Sequence, residues 1–237
     1  RRASRGHTLS AGFGVVLIGM VGLFLLLARQ GADLAIGHVG AYTPLILVFY
    51  FLAMRTVFLY ERQEIAAYVG EVVELYPHIA LRQALIGYAL AASVVVAAGI
   101  WLPFVGEEIA VTMGWHDSFV GTLLIAAATS TPEVAVTVAA VRMGALDMAI
   151  ANLLGSNLFN IMIVAVDDLF YLKGPILAEV STAHAVSAFS AIIMTGMAIV
   201  GLCYRPTERL QIRVGWISVF LLAIYLINSF VLFRYGD

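Results

Sequence analysis

The chain has 237 residues, 62% of them hydrophobic and 12% charged, with a mean hydropathy of +0.98. Soluble domains carry roughly 25% charged residues, so this composition excludes a soluble globular protein and leaves an all-α integral membrane protein. The net charge of −2 says nothing about nucleic acid, but the sequence has no basic cluster to hold it, so no nucleic-acid partner is expected. The single cysteine, Cys203, excludes an internal disulfide and a cysteine metal cluster.

Along the chain, Arg1-Arg2-Ala3-Ser4-Arg5 has the charge of a signal-peptide start. Further hydrophobic stretches follow the first, which argues against a cleaved leader. About 20 apolar residues cross a bilayer as a helix. Breaks at charges, prolines and glycine clusters predict about seven spans, at 10–28, 38–60, 82–104, 117–141, 146–171, 183–204 and 212–234. The polar stretch 61–81, with Glu61, Glu64, Glu71 and Glu74, reads as a cytoplasmic linker carrying some amphipathic helix.

Alternating the spans across a bilayer puts ten of the 13 basic residues on one face, among them Arg1, Arg2, Arg5, Arg142, Arg205 and Arg213. Arg29, Lys173 and Arg234 fall on the other face. Lys and Arg concentrate in cytoplasmic loops, so the expectation is a multi-pass cell-membrane protein with its N-terminus cytoplasmic and its C-terminus outside.

The first two spans resemble the last two. His7-Thr8-Leu9-Ser10-Ala11 matches His184-Ala185-Val186-Ser187-Ala188, and Gly19-Met20 matches Gly196-Met197, both at an offset of 177. Val39-Gly40 matches Val214-Gly215 at 175. Residues 1–60 then read as the last two helices of one repeat, and 82–237 as a second repeat of five helices. Five spans is an odd number, so the two copies would insert with opposite topology, the plan of many secondary transporters with ion sites at the midplane. On this reading three helices that pair with spans three to five would precede Arg1.

The polar centre lies at 121–171, in two spans expected to be interrupted at mid-membrane. In Ala126-Ala127-Ala128-Thr129-Ser130-Thr131-Pro132-Glu133, Pro132 cannot donate to the helix ladder and crowds the preceding turn. It is expected to free carbonyls around Ala126, Thr129 and Ser130. A carboxylate as deep as Glu133 costs at least ~2.5–3.5 kcal/mol on insertion scales, so it calls for a partner, a cavity or an ion. The next span reads Asn152-Leu153-Leu154-Gly155-Ser156-Asn157-Leu158-Phe159-Asn160; Asn152, Ser156 and Asn160 fall on one helical stripe, with Gly155 weakening the helix beside them. The donor set is oxygen only, which suits hard cations such as Ca2+ and Na+. Asn152 and Asn157 also fit plain helix–helix hydrogen bonding.

These residues resemble the alpha repeat of the sodium/calcium exchanger family, whose motifs are G-T-S-x-P-E and G-N-x-x-G-S-N-x-x-N/D. The match is Ala128–Glu133, then Gly144, Asp147 and Ala151–Asn160. The resemblance implies a ten-helix inverted-repeat transporter that exchanges Na+ for Ca2+ by alternating access and needs no cofactor. By position Glu133 would be the central ligand, Thr129, Ser130, Ser156 and Asn160 would add side-chain oxygens, and Ala126 would add its carbonyl. The leading Gly of each motif is replaced by Ala128 and Ala151. Asn160 stands where some members have Asp, which leaves stoichiometry and ion choice open. The G-N-x-x-E motif of the Ca2+/H+ branch is absent, which favours Na+ coupling.

Two alternatives stand beside that reading. In one, Glu133 carries protons in a cation/H+ antiporter. In the other, the chain is an inactive fragment or half-transporter that needs a first repeat on the same or another chain. No Ser/His/Asp or Cys/His arrangement points to an enzyme. Asp167 and Asp168, beyond the motif, read either as interface acids or as an outer ion-attracting site.

Overall fold

In a bilayer every backbone N–H and C=O must find its partner within the protein, which restricts a chain this apolar to helices or a closed barrel. The computed structural model describes residues 3–32, 34–66, 80–204 and 215–235, and these are almost wholly helical. The helices are α1 (Ala3–Arg29), α2 (Tyr42–Ala66), α3 (Leu81–Met113), α4 (Asp117–Phe119), α5 (Ala126–Thr129), α6 (Thr131–Arg142), α7 (Leu146–Phe170), α8 (Ile176–Glu179), α9 (Ala183–Tyr204) and α10 (Trp216–Tyr235). A π-helical turn, Val120–Ile125, joins α4 to α5. A two-stranded hairpin, β1 (Ala35–Ile36) and β2 (Val39–Gly40), fills the α1–α2 loop and turns through Gly37 at φ 69°.

Six helices are long and apolar enough to span a membrane, and the bent pair Asp117–Thr129 with Thr131–Arg142 makes a seventh. The protein is thus a multi-pass membrane protein, and the spans follow the predicted ones in order. The largest difference in extent is α3, which runs past Pro103 to Met113 before Gly114, at φ 64°, caps it. Most of the predicted 61–81 linker, residues 67–79, lies outside the described residues, as does the basic loop at 205–214.

One expectation fails. The span carrying Gly155 is not interrupted: α7 is a single helix of 25 residues. A glycine inside a helix costs only about 1 kcal/mol relative to alanine, far less than exposing unpaired backbone groups to lipid. The Ser156 hydroxyl also bonds back to the Leu153 carbonyl at 3.1 Å, within the same helix. Pro132 differs because it has no N–H to give and its ring is bulky. The chain bends by 43° at Ser130, and Pro132 sits in the first turn of α6, where a missing N–H does least harm.

Helix α1 packs against α9, α7 and α2, and α9 also packs on α10. The α1–α9 contact is antiparallel. A Cβ on Gly22 would lie 3.3 Å from the Ala188 Cβ, and one on Gly19 would lie 3.8 Å from Ile192. One apolar core joins α1, α2, α7, α8 and α9 around Leu17, Ile46 and Leu158. A second, around Val120, Phe119 and Leu232, joins α3 and α10 to the start of the broken span. The most apolar stretch of α3 is wholly unburied within the chain, with Val94, Trp101 and Phe104 exposed.

Candidate cation-binding site

The break at Ser130 sets the C-terminal end of α5 against the N-terminal end of α6. Ser130 has φ −86° and ψ −1°; its N–H reaches the Ala126 carbonyl at 3.0 Å, and its own carbonyl accepts the Val134 N–H at 3.1 Å. The preceding π-turn, with the Ala126 N–H bonded to the Gly121 carbonyl five residues back, winds the approach more loosely than an α-helix. Glu133 lies in the first turn of α6, where the helix dipole favours a negative charge.

Of the carbonyls expected to be freed around Pro132, that of Ala126 accepts a local hydroxyl and that of Ser130 accepts the Val134 N–H. Thr129 Oγ1 donates to the Ile125 and Ala126 carbonyls, each at 3.1 Å, and Thr131 Oγ1 donates to Ala127 at 3.1 Å. The Ala126 carbonyl, which also accepts the Ser130 N–H, is therefore not a bare ligand.

Glu133 and Ser130 face Ser156, Asn157 and Asn160 of α7 across a cavity of about 510 Å3. Met194, Thr195 and Ala198 of α9 and Ile217 and Leu221 of α10 line the same space. Four of the six predicted site residues thus meet in one cavity; Thr129 and Ala126 do not line it. Glu133 Oε2 is buried and has no hydrogen-bond partner among the described residues. A buried carboxylate oxygen without a donor carries a large desolvation penalty, and a cation would relieve it. Ser156 spends its proton on Leu153, so its lone pairs remain for an ion. Among the described residues no three His, Cys, Asp or Glu side chains come together. The arrangement is one carboxylate among neutral oxygens, which suits hard cations.

Asn152 turns away from this space. Its Nδ2 donates to the Glu133 carbonyl at 3.1 Å and to Thr137 Oγ1 at 3.2 Å, tying the start of α6 to α7. It belongs to the helix-packing class that its residue type also allowed.

Two residues have surroundings that the sequence reading did not supply: Asp168, read only as an interface acid or an outer ion-attracting site, and Thr195, which it did not single out. Asp168 is fully buried at the end of α7, where its carboxylate accepts from the Gly40 and Ile176 N–H groups, both at 2.8 Å, and from the Tyr42 and Thr43 hydroxyls. Its partners are far away in the chain or beyond a loop, so only an acid at a span end hinted at it. Thr195 is a lone hydroxyl in a run of apolar residues, and that isolation was the available signal.

Residues 83–231 match the family described as sodium/calcium exchanger protein. The chain belongs to the sodium/calcium exchanger family. The family is one of transporters rather than enzymes, and its members exchange ions without a cofactor. This exchanger-family chain is 35% identical over 133 residues to a protein of Methanosarcina acetivorans named as a sodium/calcium exchanger, covering 55% of the chain and 35% of that protein. It is 34% identical over 91 residues to a putative antiporter of Alkalimonas amylolytica, covering 38% and 28%. With an inner membrane protein of Escherichia coli K12 it shares 33% identity over 89 residues, covering 38% and 26%. The chain thus matches about a third or less of these relatives' length. No solved structure matches the chain.

Proposed function

We propose that the chain forms part of a secondary antiporter that exchanges Na+ for Ca2+ by alternating access. Its ions would bind at Glu133 with Ser130, Ser156 and Asn160. The observation that carries this reading is the buried, unpartnered Glu133 oxygen facing a cavity that Ser130, Ser156 and Asn160 also line with neutral oxygens. The name of the Methanosarcina relative supports the choice of ions. Thr129 and Ala126 enter as supports of the break, since the Thr129 hydroxyl occupies the Ala126 carbonyl.

A Ca2+ ion takes about six to eight oxygens, more than these four residues offer. We read the remainder as coming from a first alpha repeat in a ten-helix inverted-repeat transporter, on the same or another chain. Residues 1–60 would close that repeat, 61–81 would be a cytoplasmic linker, and 82–237 would form the second repeat. The antiparallel packing of α1 on α9, the helices that the 177-residue offset equates, supports this plan. The excess of Arg on one face supports a cytoplasmic N-terminus and an outer C-terminus.

The test is Ca2+ uptake into proteoliposomes holding the natural full-length protein under an imposed Na+ gradient. Glu133→Gln keeps the shape and removes the charge, and Na+-driven Ca2+ uptake is expected to fall roughly 10- to 150-fold, the scale of losing a charge-assisted contact. Uptake at the wild-type rate would remove Glu133 from the site. Because one unpartnered carboxylate also suits a proton carrier, a pH gradient without Na+ forms the second arm. Ca2+ flux under that gradient alone would replace Na+ by H+ as the coupling ion.

A further inference from the structure

We propose that Thr195 contributes its hydroxyl oxygen to the cation held at Glu133, as a specificity-determining ligand from a helix outside both motifs. The inference deepens the reading above and rests on it. Thr195 lies near the middle of α9 at 7% exposure, between Ile192-Ile193-Met194 and Gly196-Met197-Ala198. It lines the same cavity as Glu133, Ser156 and Asn160.

Threonines in apolar helices usually turn their proton back to a carbonyl one turn earlier, as Thr129 does to Ile125. Thr195 makes no such bond, nor any other hydrogen bond to a described residue. Glu133 Oε2 is likewise unpartnered on another wall of the cavity. Had the two groups been within reach, the hydroxyl would have donated to the carboxylate, the stronger acceptor. They line one cavity without bonding to each other, which leaves a place there for a third party. A carboxylate and a hydroxyl lone pair are both acceptors, so that party is a cation with a taste for hard oxygen.

The repeat offset of 177 equates Thr195 with Ile18, a buried apolar residue of α1. The contribution would therefore come from one half only. It would make the site unequal about its pseudo-two-fold axis, where Na+ and Ca2+ can be told apart.

The experiment measures the KM for Ca2+ and for Na+ in proteoliposomes of the natural full-length protein. It compares wild type, Thr195→Val, Thr195→Ser and Glu133→Gln. Removing the hydroxyl while keeping the shape, in Thr195→Val, is expected to raise the KM of one ion about five-fold, the scale of one lost neutral contact. The maximal rate should change less than about twofold, and Thr195→Ser should return KM to within about twofold of wild type. Unchanged KM values in Thr195→Val would overturn the proposal. So would a serine variant as impaired as the valine one, since that pattern reports packing of the side chain. If the valine variant does not assemble, Thr195→Ala replaces it; KM must then be raised in alanine and kept in serine, and equal values overturn the idea. Glu133→Gln separates the two levels. Full transport in that variant removes the site itself, whereas its loss alongside a silent Thr195→Val removes only Thr195.

Discussion

Asp168→Asn tests how strongly the far end of α7 is tied to the rest of the protein. One carboxylate oxygen accepts from the Gly40 N–H and the Thr43 hydroxyl, and the other from the Tyr42 hydroxyl and the Ile176 N–H. An amide keeps one accepting oxygen and turns an NH2 group toward two donors, so two bonds are lost and two N–H or O–H groups are left facing another donor. Bonds to a charged acceptor are worth about 1.5–3 kcal/mol each, and the two lost ones sum to about 3–6. Removing a buried charge returns part of its desolvation cost, which brings the expected loss to about 3–5 kcal/mol. At about 2–4 °C per kcal/mol for a chain of this size, the melting midpoint in detergent should fall by roughly 10 °C. Tyr42→Phe removes one donor to Asp168 and the acceptor of the Leu177 N–H at 3.2 Å, and should cost about 1–2 kcal/mol. The double variant should lose less than the sum, because the two share one bond. The assay is the fraction remaining monodisperse on size exclusion after heating. A midpoint for Asp168→Asn within about 3 °C of wild type, which corresponds to roughly 1 kcal/mol, would refute the account of Asp168 as a four-donor clasp.

Other changes probe the site and its frame. Asn152→Leu removes the bonds to the Glu133 carbonyl and Thr137 and should destabilise the protein by about 1–2 kcal/mol, read in the same melting assay. Asn160→Asp adds a second carboxylate to the cavity and should shift preference toward Ca2+ over Na+, measured by competition between the two ions in flux. Gly155→Ala should leave stability unchanged or raise it by up to about 1 kcal/mol, since a Cβ there meets nothing within 4 Å and the helix is continuous; a lowered midpoint would restore the expected interruption.

What could be read from the residues depended on the range of the force involved. Span positions follow from apolar length, which is local, and so does the break at Pro132, whose ring and missing N–H act on the adjoining turn. The stripe of Ser156 and Asn160 was legible because a continuous helix preserves its spacing. Gly155 was misread because its local preference, near 1 kcal/mol, is overridden by the need to pair backbone in lipid. The Ala126 carbonyl, expected to be freed, accepts the hydroxyl of Thr129, a residue also counted as a ligand, and that pairing lies within one turn. Asp168 and Thr195 owe their surroundings to segments distant in the chain, Tyr42 and Gly40 for one and the cavity beside Glu133 for the other. No window along the chain contains either arrangement.

The close seam between α1 and α9 has a consequence for how the protein is made. Gly22 meets Ala188, so the surface that α1 offers stays uncovered by its final partner until most of the chain has left the ribosome. At about 5–20 residues per second of synthesis, that wait is roughly 10–40 s. Among the described helices, α1 then has α2, and later α7 and α8, to pack against. A flat patch of small residues at Gly19 and Gly22 offers lipid little to grip and other helices a ready surface, so early association with a neighbouring chain is the error this order of assembly invites. The membrane insertion machinery must therefore keep α1 apart from strangers until α9 arrives.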